Sequence, residues 1–583
     1  MIGKGPRVTR SNIDPISLEI LWNRLIAVVN EQAAALMRTS FTTIVRESGD
    51  LSAGVFDTRG NMIAQAVTGT PGHINAMATC IHHFMDVYPA ETLKPGDVLI
   101  TNDPQKTSGH LHDFTVITPI FEGVRLVGFF GNTCHALDIG GRGMGTDARS
   151  VYEEGLFVPI TKLYDEGLEN AELLKLIAAN CRAPEPVIGD LRAQVVANDV
   201  GGRYLLRFMD EFGLESVDPL TDEIIRRSEG AMREAIAKVP DGDYTNEVYS
   251  DGYENPVKLV VTIRKRGDRM DVDWTGSSPA SAYGINVVLN YTHAYTTYAL
   301  KCALAPDVPN NEGSFRPVTV SAPKDSILNA QHPAPVCGRH ILGHFLPGAI
   351  FGALAEAMPD RVLAEGAANI WSTQLSGPRD DGSVWTYVWF STGGTGARPN
   401  KDGISATAFP SGISGVPAEV IESLAPIHFH RREYRTDSGG PGVYRGGLGQ
   451  TVEFSVNTGE PYTFSGLFDR TRHPAAGYAG GEPGALARIT LGDGTVIDSK
   501  GARELGPDMS ISLGLPGGGG FYSAFERDPE AVLDDVIDGL VSVDAARSRY
   551  AVVIDSERMQ IDSEATRRLR AGTSEGGRSG GDE

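Results

Sequence analysis

Residues 101–120 read TNDPQKTSGHLHDFTVITPI, and residues 131–141 read GNTCHALDIGG. The apolar run that ends the first stretch predicts a β-strand, and a second apolar run (RLVGFFG, residues 125–131) predicts another. Each predicted strand has histidine and aspartate residues close to one of its ends, among several glycines. Because functional sites are usually built on loops and strand ends, this part of the chain is the first place to look for chemistry.

The two polar clusters contain the ligand types of a metal site. His110 and His112 lie beside Asp113 in the first cluster, and His135 is followed by Asp138 in the second. Mixed imidazole and carboxylate ligands suit a borderline or hard divalent ion such as Zn²⁺, Mn²⁺ or Fe²⁺. A close His/Asp pair and a more distant histidine would leave a coordination position open for catalysis.

The spacing within GHLHDF is compatible with two different arrangements. If the segment is extended, His110 and His112 share a face and Asp113 points away from them. If the segment is a turn, His110 and Asp113 converge. The spacing alone does not choose between these two conformations, and a polar loop whose histidines only form hydrogen bonds is the alternative to a metal site.

Length, charge and cysteine content limit the class of protein. A chain of 583 residues is too long for one compact core, so we expect two to four domains. The net charge of −22 argues against nucleic acid and anionic membrane surfaces as partners. No stretch of about 18 apolar residues predicts a membrane span, and the first residues lack the apolar core of a secretory signal. Five scattered cysteines without a CxxC pair fit a reduced, cytoplasmic protein.

The pattern of apolar residues predicts a multidomain α+β (mixed α/β) protein, with helix-rich N-terminal and central blocks and a β-rich, glycine-loop C-terminal half. Residues 1–240 are predicted to hold the metal site and a helical block. Residues 241–382 are predicted to mix strands and helices. Residues 383–555 are predicted to be rich in strands and glycine loops, with helices at the end. Residues 556–583 are polar and glycine-rich, and we expect them to be a disordered tail.

Glycine is the outlier in the composition, with 69 residues that fall mostly in clusters. The clusters include GGRGMG, GGTGARP, DSGGPGVYRGGLG and LPGGGG. We interpret them as ordered, tightly turning loops in which only glycine accepts a positive φ angle. They do not form a phosphate-binding motif, since neither GxxxxGK[ST] nor a GxGxxG followed by an acidic residue is present. We therefore expect no ATP or dinucleotide site in this chain.

Two further groups of polar residues are weaker candidates. Asp50 lies between a predicted helix and a predicted strand, where a turn or capping role is the simpler interpretation. His332, His340 and His344 surround Cys337 and could line a pocket, although a structural role is favoured by the residues alone.

Nine motifs occur in an order that resembles the hydantoinase B family. That family comprises the B-type subunits of ATP-dependent hydantoinases, of caprolactamase-like lactamases and of acetone and acetophenone carboxylases, and the C-terminal half of 5-oxoprolinase. The resemblance runs from about residue 13 to residue 555 and is carried by DPISLEILWNRL, RESGDLSAGVFDTRGNMIAQA, PGHINAM, PGDVLITNDPQKTSGHLHDFTVITPIF, HALDIGG, YEEGLFVPITKLY, GDLRAQVVAN, DSGGPGVYRGGLG and PGGGGFYSAFERDPEAVLDDVIDGLVSVDAARSRYAVV.

The resemblance implies a specific set of metal ligands, which are Asp50, His110, Asp113 and His135. It raises Asp50 from an incidental acid to a ligand. His112 stands where the family more often has proline or a small residue, so this position is a departure from the family pattern. His112 and Asp138 remain our candidates for handling protons or for orienting the ligands.

The resemblance also implies a partner and a reaction. An A-type partner subunit would bind ATP and Mg²⁺ and phosphorylate the substrate oxygen. One divalent ion in this chain, Zn²⁺ or Mn²⁺ or alternatively Fe²⁺, would then lower the pKa of a bound water toward about 7. We expect a hetero-oligomeric hydrolase that opens a hydantoin, lactam or 5-oxoproline ring. The alternative is the equivalent subunit of a ketone carboxylase of the acetone or acetophenone type.

Overall fold

The computed structural model describes residues 14–576, apart from positions 369, 380 and 508. Its first region is a seven-stranded antiparallel sheet with helices on both faces. The strands are β1 (Leu51–Phe56), β2 (Met62–Gln65), β3 (Val98–Thr101), β4 (Asp113–Glu122), β5 (Arg125–His135), β6 (Thr161–Asp165) and β7 (Leu168–Glu169). The helices are α1 (Pro15–Thr39), α2 (Thr43–Arg46), α3 (Pro71–Val87), α4 (Val151–Glu154), α5 (Ala171–Asn180), α6 (Pro184–Phe212) and α7 (Asp218–Ala237).

Local sequence explains where α1 begins and which face it buries. The Asp14 carboxylate accepts hydrogen bonds from the backbone N–H groups of Ile16 and Ser17, and Pro15 occupies the first helical turn. The buried stripe of α1 packs with α6 against one face of the sheet. Helix α3 covers the other face, so successive residues of β5, Phe129 and Phe130, belong to different cores.

The second region is a four-stranded sheet in the order β11-β10-β9-β8 with helices packed on it. Its elements are β8 (Gly242–Ser250), β9 (Val257–Arg266), β10 (Arg269–Asp273), α8 (Leu289–Leu304), β11 (Val318–Ser321), α9 (Arg339–Gly343) and α10 (Leu346–Leu354). Helix α8 packs against both α3 and α10, which joins this region firmly to the first.

The third region contains two four-stranded sheets that share one aromatic-rich core. The sheet orders are β13-β12-β16-β18 and β14-β15-β19-β17. The elements are β12 (Trp371–Pro378), β13 (Val384–Ser391), α11 (Ala418–Leu424), β14 (Ile427–Tyr434), β15 (Gln450–Val456), β16 (Tyr462–Leu467), β17 (Arg488–Leu491), β18 (Lys500–Leu505) and β19 (Ile511–Gly514). The chain then forms α12 (Pro529–Ile537), α13 (Val543–Tyr550), β20 (Ile554–Asp555), β21 (Gln560–Ile561) and α14 (Ser563–Gly576).

The structure differs from two of the predicted region boundaries. The boundary between residues 382 and 383 falls in the turn of the hairpin formed by β12 and β13, whose strands pair along their whole length. The third region therefore begins by Trp371. Strand β21 and helix α14 occupy residues 560–576, where a disordered tail was predicted. Local charge and glycine content suggested disorder, but the Thr566 hydroxyl accepts a hydrogen bond from the backbone of Val553. Residues 577–583 lie outside the described part of the chain.

The C-terminal glycine clusters correct our interpretation of why glycine is needed there. Gly140, Gly141 and Gly143 do have positive φ angles, as predicted for GGRGMG. The glycines of the three C-terminal clusters do not, and they form extended segments joined side by side by backbone hydrogen bonds. For example, the backbone N–H of Gly518 donates to the carbonyl of Gly447, and the N–H of Gly447 donates to the carbonyl of Thr395. Glycine is required because neighbouring backbones lie where a Cβ atom would be.

The predicted class, α+β with several sheets and many helices in more than one domain, is confirmed. None of the helices in the described residues is both long and apolar enough to cross a lipid bilayer. All three regions contribute side chains to one small cavity, which is the candidate site.

Candidate metal centre

Strand register brings together three of the four residues that the sequence singled out. Asp113 begins β4 and His135 ends β5, and the two residues face each other directly in the antiparallel pair. Asp50 precedes β1, which pairs with the other edge of β5, and the Asp50 carbonyl accepts a hydrogen bond from the His135 backbone. The ends of three adjacent strands therefore meet at one point.

His110 reaches the same point because residues 104–112 form turns instead of an extended strand. Its Nε2 lies 2.8 Å from Oδ1 of Asp113, and its Nδ1 lies 2.9 Å from the carbonyl oxygen of Cys337. Of the two conformations considered for GHLHDF, the turn is therefore the one adopted.

His110, Asp113 and His135 form a buried cluster with the composition of a metal site. One potential ligand atom from each residue lies within 4.8 Å of the other two. Nδ1 of His135 lies 3.0 Å from Oδ1 of Asp113, the same oxygen that faces His110. Asp50 lies beside the cluster, is 7% exposed and accepts a hydrogen bond from the Thr70 hydroxyl at 3.2 Å.

Asp113 is held as a carboxylate by the groups around it. Burial by itself would raise its pKa, but His110, His73 and Arg339 lower it well below the usual value. Oδ2 accepts hydrogen bonds from the Ser108 hydroxyl, at 2.6 Å, and from the Arg339 guanidinium, and it lies 2.9 Å from Nε2 of His73. Burial lowers the pKa of His110 to about 4, which leaves the imidazole in the neutral form that binds metals.

The contacts of His110 fit a cation between the ligands. A carbonyl oxygen can only accept, so Nδ1 of His110 must donate to Cys337, and the neutral ring then has a lone pair on Nε2. This lone pair faces a carboxylate oxygen 2.8 Å away, and Nε2 has no hydrogen-bond partner among the described residues. Two acceptor atoms this close repel each other unless a cation lies between them. The two imidazoles and the carboxylate are ligand types that suit a divalent metal.

The cavity beside the cluster has a volume of about 20 Å³, enough for a group of the size of a water molecule. Its other walls come from distant parts of the chain, and the sequence did not assign a role in the site to most of these residues. They are Thr70, His73, Met144, Tyr291, Arg339, His340, His344, Ile370, Phe390 and Ser411. For His340 and His344 the sequence allows a pocket position but favours a structural role. His73 lies within the motif PGHINAM, but no local pattern connects it with the site.

His112 and Asp138, our candidates for handling protons or for orienting the ligands, are not among the residues that line this cavity. The Asp138 carboxylate is buried away from the cluster, where it accepts hydrogen bonds from the Arg182 guanidinium, at 2.7 Å, and from backbone N–H groups of Arg182 and Gly140. These contacts hold the loop that follows β5. The His112 ring stacks on His135 at a centroid distance of 5.4 Å, a contact compatible with orienting that candidate ligand.

Comparison with known proteins places the chain in a family. The sequence model described as hydantoinase B/oxoprolinase matches residues 14–524. The chain belongs to this family. A protein of Pseudomonas sp. strain NS671, assigned as one subunit of a D-/L-hydantoinase, is 32% identical over 96% of this chain and 98% of its own length.

Two solved structures share the fold of this chain. The ATP-dependent caprolactamase from Pseudomonas jessenii superimposes with a TM-score of 0.88 and 29% identity, over 96% of this chain and 100% of that chain. A nucleotide-free acetone carboxylase superimposes with a TM-score of 0.89 over 98% of this chain and 84% of that chain. Its identity is 19%, so this second likeness concerns the fold alone.

Proposed function

We propose that this chain is the metal-dependent catalytic subunit of an ATP-dependent cyclic amide hydrolase. Its substrate would be a hydantoin, lactam or 5-oxoproline ring that an A-type partner subunit has phosphorylated. The observation that carries the proposal is the buried His110–Asp113–His135 cluster beside a small cavity, in a chain that resembles a caprolactamase over its full length.

One divalent ion, Zn²⁺, Mn²⁺ or Fe²⁺, would be held by His110, Asp113 and His135, with Asp50 as a fourth ligand. When bound, such an ion would supply Lewis acidity and lower the pKa of a coordinated water toward about 7. The protein's own part is to keep the His110 imidazole neutral, to hold Asp113 ionised through Arg339 and to exclude bulk water from the cluster. ATP and Mg²⁺ are assigned to the partner subunit, because the sequence lacks a phosphate-binding motif.

A ketone carboxylase subunit is the second candidate, because the family that this chain resembles also comprises B-type subunits of acetone and acetophenone carboxylases. The 29% identity to the caprolactamase chain and the complete coverage of that chain favour the hydrolase. In a carboxylase the same metal site would serve bond formation between an enolate and CO₂ instead of water attack.

Nucleotide turnover by the reconstituted complex distinguishes the two candidates. We expect ADP release with the A-type partner to be stimulated by a lactam, hydantoin or 5-oxoproline, with no effect of bicarbonate. The ring-opened product and the metal content of the purified complex are measured in the same samples, and one divalent ion per copy of this chain is expected. Ketone turnover that requires bicarbonate would establish the carboxylase instead.

Glu154 offers a test of the metal site that does not depend on activity. Its buried carboxylate accepts hydrogen bonds from the backbone N–H groups of Val336, at 2.6 Å, and Cys337, at 2.7 Å, and so fixes the carbonyl that orients His110. Glu154→Ala is expected to lower metal affinity by about 10- to 100-fold, because outer contacts orient metal ligands. Glu154→Gln keeps an oxygen acceptor and should bind metal nearly as tightly as the wild type.

Competition titration with a chromophoric chelator measures both variants of Glu154. Equal metal affinities of Glu154→Ala and the wild type would show that the hydrogen bonds of Glu154 do not help to position His110. The glutamine variant controls for the loss of packing, since its side chain has nearly the same shape.

A further inference from the structure

Two histidines of the cavity wall have no function in the metal cluster. His340 lies in α9 and His344 follows the end of that helix, and both rings are buried. Nε2 of His340 and Nδ1 of His344 lack hydrogen-bond partners among the residues the structure describes. Buried polar atoms are nearly always paired, so an unpaired nitrogen on each of two neighbouring cavity residues calls for an explanation.

The water that attacks the ring carbon would occupy this cavity, so the group that takes its protons is expected to line the cavity wall. His112 and Asp138 do not line this cavity, so neither is placed to contact a water inside it. His73 and Arg339 also line the cavity, but both are engaged by the Asp113 carboxylate. His340 and His344 are therefore the imidazoles of the cavity wall that Asp113 does not hold.

The surroundings of the two rings separate their roles. Burial lowers the pKa of His340 well below its usual value, and His344, Arg339, His110 and His135 act in the same direction. Burial therefore keeps the His340 ring neutral. The His344 ring packs edge-on against Tyr295 at a centroid distance of 5.1 Å and also lines a second cavity that His340 does not line.

We propose that His340 is a catalytic residue that carries protons from the attacking water to the leaving ring nitrogen. The inference rests on the proposed hydrolase function and adds a residue to it. The water oxygen bonds to the activated ring carbon, and the His340 imidazole takes one proton from that water and passes it to the ring nitrogen. The carbon–nitrogen bond then breaks with its electron pair on nitrogen, and the second proton of the same water follows by the same route. An amine and an acyl phosphate result, and His340 is neutral again.

The ratio of ADP released to rings opened tests this role in the complete complex with its A-type partner. His340→Ala should slow ring opening by about 100-fold or more, the usual contribution of a general acid–base. Phosphorylation occurs on the partner, so ADP release should fall much less, and the ratio should rise at least about tenfold. The bound metal should stay at the wild-type level. His340→Gln is the second variant, which fills the same space if the alanine variant does not fold.

His293→Ala is the matched control, since it removes a largely buried histidine ring of α8 that packs against Phe315 and does not line the cavity. Its ADP-to-product ratio should equal that of the wild type. Unchanged coupling in both His340 variants, loss of their bound metal, or equal uncoupling in His293→Ala would each overturn the proposal. If the wild-type complex opened none of the cyclic amides, the proposed function itself would fail, and that outcome is distinct from failure of the His340 variants alone.

Discussion

Replacing Asp113 by Asn is expected to abolish stoichiometric metal binding and to lower the free energy of unfolding by about 3–5 kcal/mol. One oxygen of the carboxylate faces His110 and His135. The other oxygen accepts hydrogen bonds from Ser108 and Arg339 and lies 2.9 Å from Nε2 of His73. An amide has no negative charge, so the buried Arg339 guanidinium would lose its counter-charge and the cluster would lose its anionic ligand. Ring opening should stop together with metal binding.

Elemental analysis of the purified variant measures the metal, and chemical denaturation measures the stability. Asp138→Asn is the matched control, because Asp138 is an equally buried carboxylate paired with an arginine but lies away from the cavity. The control should lose stability and keep one metal ion per chain. An Asp113→Asn protein that still held one equivalent of metal would contradict the assignment of Asp113 as a ligand.

Replacing Gly518 by Ala is expected to prevent the third region from folding, at a cost of more than about 4 kcal/mol. The added Cβ would lie 1.9 Å from the carbonyl oxygen of Thr395 and 2.7 Å from the backbone nitrogen of Gly396. Both neighbours are backbone atoms in a hydrogen-bonded layer, so neither can move away as a flexible side chain could. We expect the variant to be insoluble or to melt at a much lower temperature than the wild type.

Gly506→Ala is the control for this experiment within the same region. No atom lies within 4 Å of a Cβ added to Gly506, and its φ angle is not positive. This variant should unfold at nearly the wild-type temperature, as measured by differential scanning calorimetry. If Gly518→Ala unfolded at the same temperature as Gly506→Ala, close backbone packing would not be the reason for glycine at position 518.

The candidate metal ligands could be proposed from the sequence because their pattern is partly local. His110 and Asp113 are three residues apart, and a single turn is enough to bring them together. His135 follows the next predicted strand, so an antiparallel hairpin returns it to the same end of the sheet. Asp50 was identified as a candidate ligand only by the family resemblance. In the structure, the pairing of β1 with β5 brings it to the cluster.

The cavity wall could not be predicted in the same way. Arg339, His340 and His344 are more than two hundred residues from the cluster in sequence, and helix α8 packing on α3 brings their region to the site. Asp138 lies outside the cavity for a similar reason, because its carboxylate binds Arg182, which comes from the segment after α5.

The sequence by itself determined which residue types are available to bind a metal, which segments form strands and helices, and which family the order of motifs resembles. These properties depend on residue type and on spacing over a few residues, which the linear chain contains. Only the tertiary structure decided that the turn at residues 104–112 joins His110 to Asp113, that His340 instead of Asp138 faces the cavity, and that the C-terminal glycines serve close backbone packing. Each of these depends on contacts between distant segments, and such contacts leave no periodic pattern in the sequence.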